Sequence, residues 1–375
     1  MRVGLISSPW VPVPPPAYGG LEDVVDRLAR GLVEAGHDVL LAAPGNSCCP
    51  VPRIEGMADI ARDAPINGDT ITEMAHVARA YAAMDDVDVI HDHTIGGPLY
   101  RHRPAGIPVV TTNHGPFVPL PNLLFSCIQR DTCVVAVSEH QASTADGVHI
   151  SRVIHHGVDV DRIPVGAGEG GYAAFLGRMT ACKGPREAIE VARLAGVPLK
   201  IAAKMREKAE YDYFKAEVEP LLSEDVEYIG ELEPAEKFQL LGAAIALLNP
   251  IQWAEPFGLV MIEALACGTP VMATSFGSVP ELIDDGQTGF VRDEAKDLAP
   301  CLLDASTLDR RTCREVAATR FCTARMVADH VDLYTELIER APKVRKTAFR
   351  WIRRSSSTLE VPTRKSEPNS VLPGV

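Results

Sequence analysis

The segment from Tyr172 to Ala203, YAAFLGRMTACKGPREAIEVARLAGVPLKIAA, contains the pattern that decides the fold. Tyr172–Leu176 and Pro198–Ala203 are short apolar runs, which predict two buried strands. Between them, a turn with glycine and lysine leads into apolar residues at helical spacing over Pro185–Ala195. Strands that are apolar on both faces and alternate with helices predict a parallel sheet covered by helices on both sides.

The same alternation runs along the whole chain and restarts once. In the first half it predicts strands at Val3–Ile6, Asp38–Ala43, Val87–Ile90, Ile107–Thr111 and Cys133–Val137. In the second half it predicts strands at Tyr172–Leu176, Pro198–Ala203, Val226–Ile229, Ala244–Leu248 and Pro270–Ala273. The stretch between the halves, Gly157–Gly171, holds Pro164 and five glycines. Because one core rarely grows beyond about 250–300 residues, we predict two doubly wound α/β units, at residues 1–160 and 161–325.

Composition restricts the functional class. The chain has 375 residues and a formal charge of −13, which argues against general nucleic-acid binding because that needs a basic surface. Its longest apolar stretches, such as Ala243–Leu248, are far shorter than the roughly 20 residues of a membrane span. Pro9 comes before any signal-like apolar core has formed, and the nine cysteines show no zinc-ligand spacing. We therefore expect a cytoplasmic protein with reduced thiols.

The C-terminal end differs in charge from the rest of the chain. Residues 341–375 carry eight basic and two acidic side chains. Serine, proline and charge dominate from Ser355 onward, and we predict a disordered tail over residues 353–375. The basic residues around Phe349–Ile352 fit weak contact with an anionic membrane surface, at its inner face. A solvated helix end is the simpler interpretation, and both stay open.

Ligands of open α/β sheets bind beyond the carboxyl ends of the strands, so the loops there are the candidate sites. The first such loop, Pro12–Glu22, brings Gly19 and Gly20 directly before a helix. There the backbone can approach a ligand closely, and free helix N–H groups suit an anion. The dinucleotide fingerprint Gly-x-Gly-x-x-Gly is missing, which disfavours a nicotinamide dehydrogenase. Adjacent glycines would also suit a purely structural turn.

The second loop follows the strand at Tyr172–Leu176 and carries two cations, Arg178 and Lys183, with glycine on either side. Two cations at the mouth of a sheet can clamp a pyrophosphate and stabilise the negative charge that grows on a leaving nucleotide. Two solvated surface cations would show the same spacing, and the spacing does not separate these interpretations.

The third loop, within Asn249–Pro270, is the richest in chemistry. Pro256 and Gly258 predict a helix that starts there and ends at Gly268. Glu255 then precedes the helix and Glu263 lies about five residues inside it, which separates the two carboxylates by roughly 7–8 Å along the axis. The exposed amides of Phe257, Gly258 and Leu259 fall between them. This arrangement fits an elongated ligand with hydroxyls at both ends and phosphate in the middle, which is the shape of a nucleotide sugar.

Together the three loops resemble the retaining glycosyltransferases of family four, which have the GT-B fold of two doubly wound Rossmann-like domains facing a cleft. The resemblance rests on Tyr18–Glu22, Gly177–Gly184 and Glu255–Pro270, which occur in the family's order, and it covers about residues 1–335. It implies that the first unit faces the acceptor and that the second binds the nucleotide sugar. It also implies that a final helix, roughly Ala324–Arg340, crosses back to the first unit, and we assign residues 326–352 to this C-terminal helical segment.

The resemblance implies roles for individual residues. Arg178 and Lys183 would hold the phosphates of the donor, Glu255 the hydroxyls of the transferred sugar, and Glu263 the ribose. Gly20 would lie beneath the phosphate or sugar. His114 would lie near the reacting sugar, where it accepts a hydrogen bond or assists proton transfer, although a turn histidine is the alternative. The implied donor-binding set is Gly19, Gly20, Arg178, Lys183, Phe257, Gly258, Leu259 and Glu263, and the implied catalytic set is Arg178, Lys183, Glu255 and His114.

Two other groups of polar residues resemble known sites less well. Asp86 and Asp88 have the spacing of a metal-binding triplet of another glycosyltransferase class, but they precede or start a strand, away from the ligand end. His91 and His93 alternate along that strand and so face the same side. A structural or acceptor-cleft role fits these histidines better than metal binding. His155 and His156, where the family has an Asn-Gly-Val-Asp turn, are interpreted as structural.

The predicted activity is transfer of a hexosyl group from a nucleotide diphosphate sugar to a hydroxyl of a sugar, lipid or small molecule, with retention of configuration. Such a reaction belongs to carbohydrate or glycoconjugate biosynthesis, and the resemblance implies no metal and no cofactor. Two alternatives stay open. One is another GT-B sugar enzyme, a phosphorylase or a nucleotide-sugar epimerase, and the other is a catalytically silent sugar-nucleotide-binding protein.

Overall fold

The computed structural model describes residues 1–17, 19–59 and 69–341 of the chain. These residues form two six-stranded sheets, each with helices on both faces. Every pair of neighbouring strands is parallel. Parallel strands need crossover connections, and the intervening helices supply them.

The N-terminal sheet is built from the first six strands, which are β1 (Arg2–Ile6), β2 (Asp38–Ala42), β3 (Val89–Asp92), β4 (Val109–Thr112), β5 (Cys133–Ala136) and β6 (Arg152–Val153). Its helices are α1 (Gly20–Glu34), α2 (Thr70–Ala82), α3 (Pro119–Ile128) and α4 (Glu139–Ser143). The strand order is β2-β1-β3-β4-β5-β6. The chain therefore winds outward from β1 in both directions.

The C-terminal sheet is built from β7 (Ala173–Arg178), β8 (Leu199–Lys204), β9 (Val226–Gly230), β10 (Leu247–Asn249), β11 (Val271–Thr274) and β12 (Gly289–Arg292). The helices that follow β7 along the chain are α5 (Pro185–Ala195), α6 (Lys208–Tyr213), α7 (Pro234–Ala243), α8 (Leu259–Ala266), α9 (Val279–Leu282), α10 (Leu298–Leu303), α11 (Arg310–Arg320) and α12 (Thr323–Arg340). The strand order is β12-β11-β10-β7-β8-β9. Winding reverses between β7 and β10, and a crevice opens at such a reversal.

Single helical turns complete the connections. They are 3₁₀ turns at Gly97–Leu99, Val160–Arg162, Ala181–Lys183, Glu219–Leu221, Ala295–Asp297 and Asp304–Thr307, and a π-helical turn at Phe214–Val218. No helix among the described residues is long and apolar enough to cross a bilayer.

Both faces of each sheet are buried, which explains the apolar runs in the sequence. In β1, Leu5 belongs to the cluster that packs against α1, with Leu28 of that helix. The next residue, Ile6, belongs to the cluster on the opposite face, with Val77 and Tyr81 of α2. All five of these side chains are at most 2% exposed. Successive strand residues point to opposite faces, so a strand between two helical layers must be apolar throughout.

The predicted alternation is confirmed: each of the ten predicted strands occurs, with ends shifted by at most three residues. Two strands were not predicted, β6 with two residues and β12 with four. Both lie at a sheet edge, and the burial of their residues is mostly partial. Short, half-exposed edge strands lack the continuous apolar run on which the prediction depends.

The last helix, α12, packs into the N-terminal core although it follows the C-terminal sheet. Met326, Leu333 and Tyr334 are buried in the same cluster as the side chains of α1 and β1. The helix spans Thr323–Arg340, close to the Ala324–Arg340 expected from the sequence, and residues 342–352 of the longer predicted segment lie outside the described residues. The helix ends at Arg340 because Ala341 has extended backbone angles, φ −62° and ψ 138°, as expected for a residue before proline. Residues 342–375, with the predicted tail and basic segment, lie outside the described residues.

Candidate active site

A cavity of about 360 Å³ lies between the carboxyl ends of the two sheets. The loops after β1 and β4 form one wall, and the segments after β7, β8, β9 and β10 form the other. Nine of the ten residues predicted for the site line it: Gly19, Gly20, His114, Lys183, Glu255, Phe257, Gly258, Leu259 and Glu263. The cavity therefore unites three loops that are far apart in sequence.

The glycine loop brings the first helix close to the opposite domain. Gly20 is the first residue of α1, and a Cβ atom built on it would lie 3.4 Å from Cδ1 of Leu259, at the start of α8. Glu22 turns inward and accepts a hydrogen bond of 2.5 Å from the Ser8 hydroxyl. Burial raises the pKa of Glu22 above its ordinary value. Tyr18, which belongs to the same motif, lies outside the described residues.

Lys183 and Glu255 form an ion pair in the wall of the cavity. The Lys183 ammonium donates to Oε2 of Glu255, and Nε1 of Trp253 donates to the same oxygen over 2.8 Å. The side chains of the pair are only 16% and 12% exposed. Gly184 adjoins them with φ 75°, and a Cβ atom there would lie 2.0 Å from the carbonyl oxygen of Pro250. Glycine at this position therefore lets the two loops meet.

Glu263 is the centre of a second charged group. It is the fifth residue of α8 and accepts hydrogen bonds from Lys237 Nζ at 2.8 Å and from Arg27 Nη2 at 3.2 Å. Burial acts to raise the pKa of Glu263, but the charges of Lys237 and Arg27 outweigh burial and hold it below its ordinary value. Arg27 belongs to α1, so this group ties the two domains together at the cavity.

Helix α8 begins as the sequence predicts, directly after Gly258. This residue caps the helix in the left-handed region, φ 90° and ψ 65°, which glycine adopts without strain. The first N–H groups of an α-helix have no partner within it, and they carry the positive end of the helix dipole. Phe257 is buried, and its ring contacts His156 at 4.9 Å between centroids. The start of α8 thus presents free backbone donors beside the ionic groups.

Arg178 is the one predicted site residue that is not among the cavity-lining residues in the described part of the chain. It ends β7 in register with Lys204 at the end of β8. Lys204 does line the cavity, with its side chain 3% exposed and its Nζ 3.8 Å from Glu210. Burial, together with the nearby charges of Arg206 and Arg178, lowers the pKa of Lys204 although Glu210 acts to raise it. Lys204, which the sequence analysis did not single out, thus adds a buried lysine to the cavity lining next to the end of β7.

Histidines occupy the N-terminal wall. His114 and His156 both line the cavity, with rings 5.3 Å apart and nearly parallel. Burial lowers the pKa of His114 to about 4 and that of His156 well below its ordinary value, so both rings are neutral at pH 7. His156, interpreted from the sequence as structural, is therefore a wall residue of the cavity.

The histidines of β3 lie behind this wall, on the same side of the strand as predicted. The ring centroids of His91 and His93 are 4.0 Å apart, and Nδ1 of His93 lies 2.9 Å from Nε2 of His114. Asp86 and Asp88 lie at the opposite, amino end of β3 and bond to Arg2. Among residues 1–17, 19–59 and 69–341, no group of three or more histidine, cysteine or acidic side chains is arranged to hold a metal ion.

Three basic residues of the site were missed by the sequence analysis: Arg27, Lys204 and Lys237. Lys204 ends β8, so the rule that ligands bind beyond the carboxyl ends of strands could have identified it. Lys237 lies in the first turns of α7, after the loop that follows β9. Arg27 gives no local signal, because its partner Glu263 is 236 residues away in sequence.

Solved structures of other proteins share this architecture. The chain is similar to AviGT4, a glycosyltransferase involved in avilamycin A biosynthesis, with a TM-score of 0.67, 25% identity, and coverage of 91% of this chain and 99% of that one. Anabaena HepE, solved in complex with UDP and glucose, gives a TM-score of 0.68 over 89% of this chain and 99% of its own. At 18% identity that likeness concerns the fold. Two Rossmann-like domains facing a cleft define the GT-B class of glycosyltransferases, and the chain has this fold.

The sequence relatives give the family. The model for glycosyltransferase family 4 matches residues 18–162, and the model for glycosyl transferases group 1 matches residues 162–306. A phosphatidyl-myo-inositol mannosyltransferase from Mycolicibacterium smegmatis is 27% identical over 338 residues, which cover 81% of this chain and 84% of the relative. The chain belongs to glycosyltransferase family four, and it is a glycosyltransferase.

Proposed function

We propose that the protein transfers a hexosyl group from a nucleotide diphosphate sugar to a hydroxyl acceptor and retains the anomeric configuration. The observation that carries this proposal is the cavity itself, where Lys183, Lys204 and Lys237 share one wall with Glu255 and Glu263. Lysines suit a diphosphate, and carboxylates suit sugar hydroxyls. HepE, which has the same fold, was solved with UDP and glucose, and this supports a donor of the same class.

In this proposal the diphosphate lies at Lys183 and at the start of α8. The free N–H groups after Gly258 and the Lys183 ammonium would meet the charge that develops on the leaving diphosphate. Glu255 shares its Oε2 between Lys183 and Trp253, and its second carboxylate oxygen serves a hydroxyl of the transferred sugar. The ion pair keeps Lys183 directed into the cavity before the donor binds, so little rearrangement is needed at reaction.

Glu263 would bind the ribose hydroxyls of the donor. Its carboxylate is held by Lys237 and Arg27 and stays ionised because their charges keep its pKa low. An ionised carboxylate accepts hydrogen bonds from two neighbouring hydroxyls. Since Arg27 comes from the N-terminal domain, ribose binding at Glu263 also places the donor at the boundary between the domains.

Retention would follow a front-face reaction. The departing diphosphate oxygen takes the proton of the acceptor hydroxyl while the new bond forms on the same face of the sugar. The protein positions both substrates and stabilises the negative charge of the leaving group. His114 lies on the N-terminal wall beside the space left for the sugar, and we propose that it contacts the transferred sugar. We propose further that the lysines neutralise the diphosphate without a metal ion.

The test is a donor screen followed by product analysis. Thermal shift with UDP-, GDP- and ADP-linked hexoses selects the donor, because a ligand that binds only the folded state raises the Tm. Transfer to a panel of sugar and lipid hydroxyls is then measured, and NMR of the product reports its anomeric configuration. We expect retained configuration and a rate unchanged by EDTA.

Three outcomes would contradict parts of this proposal. An inverted product would refute retention, and loss of turnover in EDTA would refute transfer without metal. Activity that needs inorganic phosphate but no nucleotide would identify a phosphorylase instead. A Lys296→Met variant, which removes an exposed lysine that is not among the cavity-lining residues, serves as the control for a Lys183→Met variant in the same assay.

A further inference from the structure

A column of histidine rings extends from the core of the N-terminal domain to the cavity. His91 lies 4.0 Å from His93 and 5.2 Å from His330 between ring centroids, and His93 lies 5.2 Å from His114. His91, His93 and His330 are at most 4% exposed. Of these four rings, His114 reaches the cavity.

Both nitrogens of His91 have partners. Nδ1 lies 2.6 Å from the Tyr334 hydroxyl, and Nε2 lies 2.8 Å from the Thr112 hydroxyl. Because His93 packs against this fixed ring, its own ring is held with Nδ1 directed at His114. The orientation of His93 is therefore set by the core and by α12, independently of any ligand.

The hydrogen bond between His93 and His114 contains a single proton. Burial and the neighbouring histidines lower the pKa of both rings, so both are neutral at pH 7. A neutral imidazole has one N–H donor and one bare nitrogen. Nδ1 of His93 and Nε2 of His114 are 2.9 Å apart, so one of them donates and the other accepts.

The second nitrogen of His93 decides which ring donates. Nε2 of His93 is buried and has no hydrogen-bond partner within the described part of the chain. If His114 were the donor, His93 would carry its proton on Nε2, and a buried N–H group would be left unsatisfied. If His93 donates from Nδ1, its Nε2 is a bare acceptor instead. Buried N–H groups without a partner are rarer in proteins than unsatisfied acceptors, so the second arrangement is favoured.

We propose that His93 is a positioning residue that holds His114 in the tautomer protonated on Nδ1, so that the cavity-facing nitrogen of His114 is a hydrogen-bond donor to an oxygen of the bound sugar donor. His114 then cannot serve as a base toward the sugar. The sequence suggested that His114 accepts a hydrogen bond or assists proton transfer, whereas the proposed tautomer makes it a hydrogen-bond donor. The role of His114 as a hydrogen-bond donor to the sugar rests on the proposed transferase reaction, whereas the assignment of its tautomer does not.

Nitrogen-15 NMR of the histidine rings in the full-length, ligand-free protein tests the tautomer directly. Protonated and bare ring nitrogens resonate far apart, and the His114 signals are assigned by their loss in a His114→Gln variant. We expect Nδ1 of His114 protonated and Nε2 bare at pH 7. A proton on Nε2 of His114 would overturn the proposal. This result is independent of activity, so a protein without transferase activity would refute the proposed function and leave the tautomer assignment standing.

Substitution of His93 tests the positioning role. His93→Leu removes the donor, so the two tautomers of His114 mix, and we expect kcat to fall on the order of tenfold with a smaller change in KM, as for other partners that orient a functional histidine. His93→Asn places an amide N–H near the position of Nδ1 and should restore both the NMR signature and most of kcat. His76→Leu removes another buried histidine, which bonds to the Ser7 carbonyl, and should change neither. An unchanged kcat in His93→Leu, or equal losses in His93→Leu and His93→Asn, would contradict the proposal.

Discussion

The two walls of the cleft handle charge in opposite ways. The C-terminal wall brings lysines and glutamates together in pairs, and the pKa of Glu263 falls because its cationic neighbours outweigh burial. On the N-terminal wall burial dominates. It lowers the pKa of His114 and raises that of Asp23 despite the neighbouring Arg27. Glu263 thus stays ionised at the C-terminal wall, whereas burial acts against charge at His114 and Asp23 on the N-terminal wall.

The largest expected effect comes from removing the two cations that the sequence analysis assigned to the diphosphate, Arg178 and Lys183. The Arg178→Ala, Lys183→Ala double variant should lower kcat by about 10²–10³, as for the loss of other groups that stabilise transition-state charge. Steady-state kinetics with saturating donor would measure the loss. The matched control is Arg186→Ala, Lys296→Ala, which removes one arginine and one lysine from exposed positions. Near-normal turnover of the Arg178→Ala, Lys183→Ala variant would show that these cations do not stabilise the charge of the leaving group.

The single variants Lys183→Ala and Arg178→Ala separate the contributions of the two cations in the same experiment. Lys183 lines the cavity and pairs with Glu255, whereas Arg178 acts at Lys204 from outside the lining. We therefore expect Lys183→Ala to account for most of the loss. A larger loss in Arg178→Ala would assign the main diphosphate contact to Arg178 instead.

A second prediction concerns the charged group that joins the walls. Glu263→Gln removes the carboxylate that Arg27 and Lys237 share, and the buried Arg27 guanidinium keeps Asp23 as an ionic partner. Removing one partner of a buried ion pair costs about 3 kcal/mol or more when the other charge is left alone, and the remaining Asp23 contact reduces this to about 1–3 kcal/mol here. Urea unfolding should show this loss in the free energy of unfolding. Glu294→Gln, at an exposed position, should leave stability within about 0.5 kcal/mol. Equal stability of the two variants would show that the group does not join the domains.

Acid should destabilise the fold through its buried histidines. His76, His114 and His330 have folded pKa values of about 4, below the ordinary 6.5. Between these values the unfolded chain binds more protons than the folded one, so stability falls as the pH falls from about 6.5 toward 4. Carboxyl groups whose pKa burial raises, such as Asp92 at about 6, Glu22 and Asp23, act in the opposite sense and reduce the total change.

The pH prediction has a simple measurement. For His330 alone, lowering the pH from 7 to 5 should cost about 2 kcal/mol of unfolding free energy. Urea unfolding at the two pH values gives the total, and His330→Asn should reduce the difference because it removes one titrating group. A stability that is independent of pH over this range would contradict the lowered pKa values of these buried histidines.

The sequence predicts the strands and the charged loops, and each for a physical reason. Strands buried on both faces leave continuous apolar runs, and Lys183, Glu255 and Glu263 stand out because charged residues beside glycines at the carboxyl ends of strands suggest ligand binding. What the sequence does not reveal depends on packing between distant segments. The contact of Arg27 with Glu263 and that of His93 with His114 exist because the domains and strands come together in one way. No local pattern encodes such pairs.

The most direct test of the central claim is a crystal structure of the full-length protein with a nucleoside diphosphate, using UDP and GDP as probes. We expect the diphosphate to lie in the cleft, within hydrogen-bond distance of Lys183 Nζ and of the backbone N–H groups at the start of α8, with the ribose hydroxyls at Glu263. A diphosphate bound outside this cleft, or one held in it without contact to Lys183 and α8, would contradict the proposed donor site.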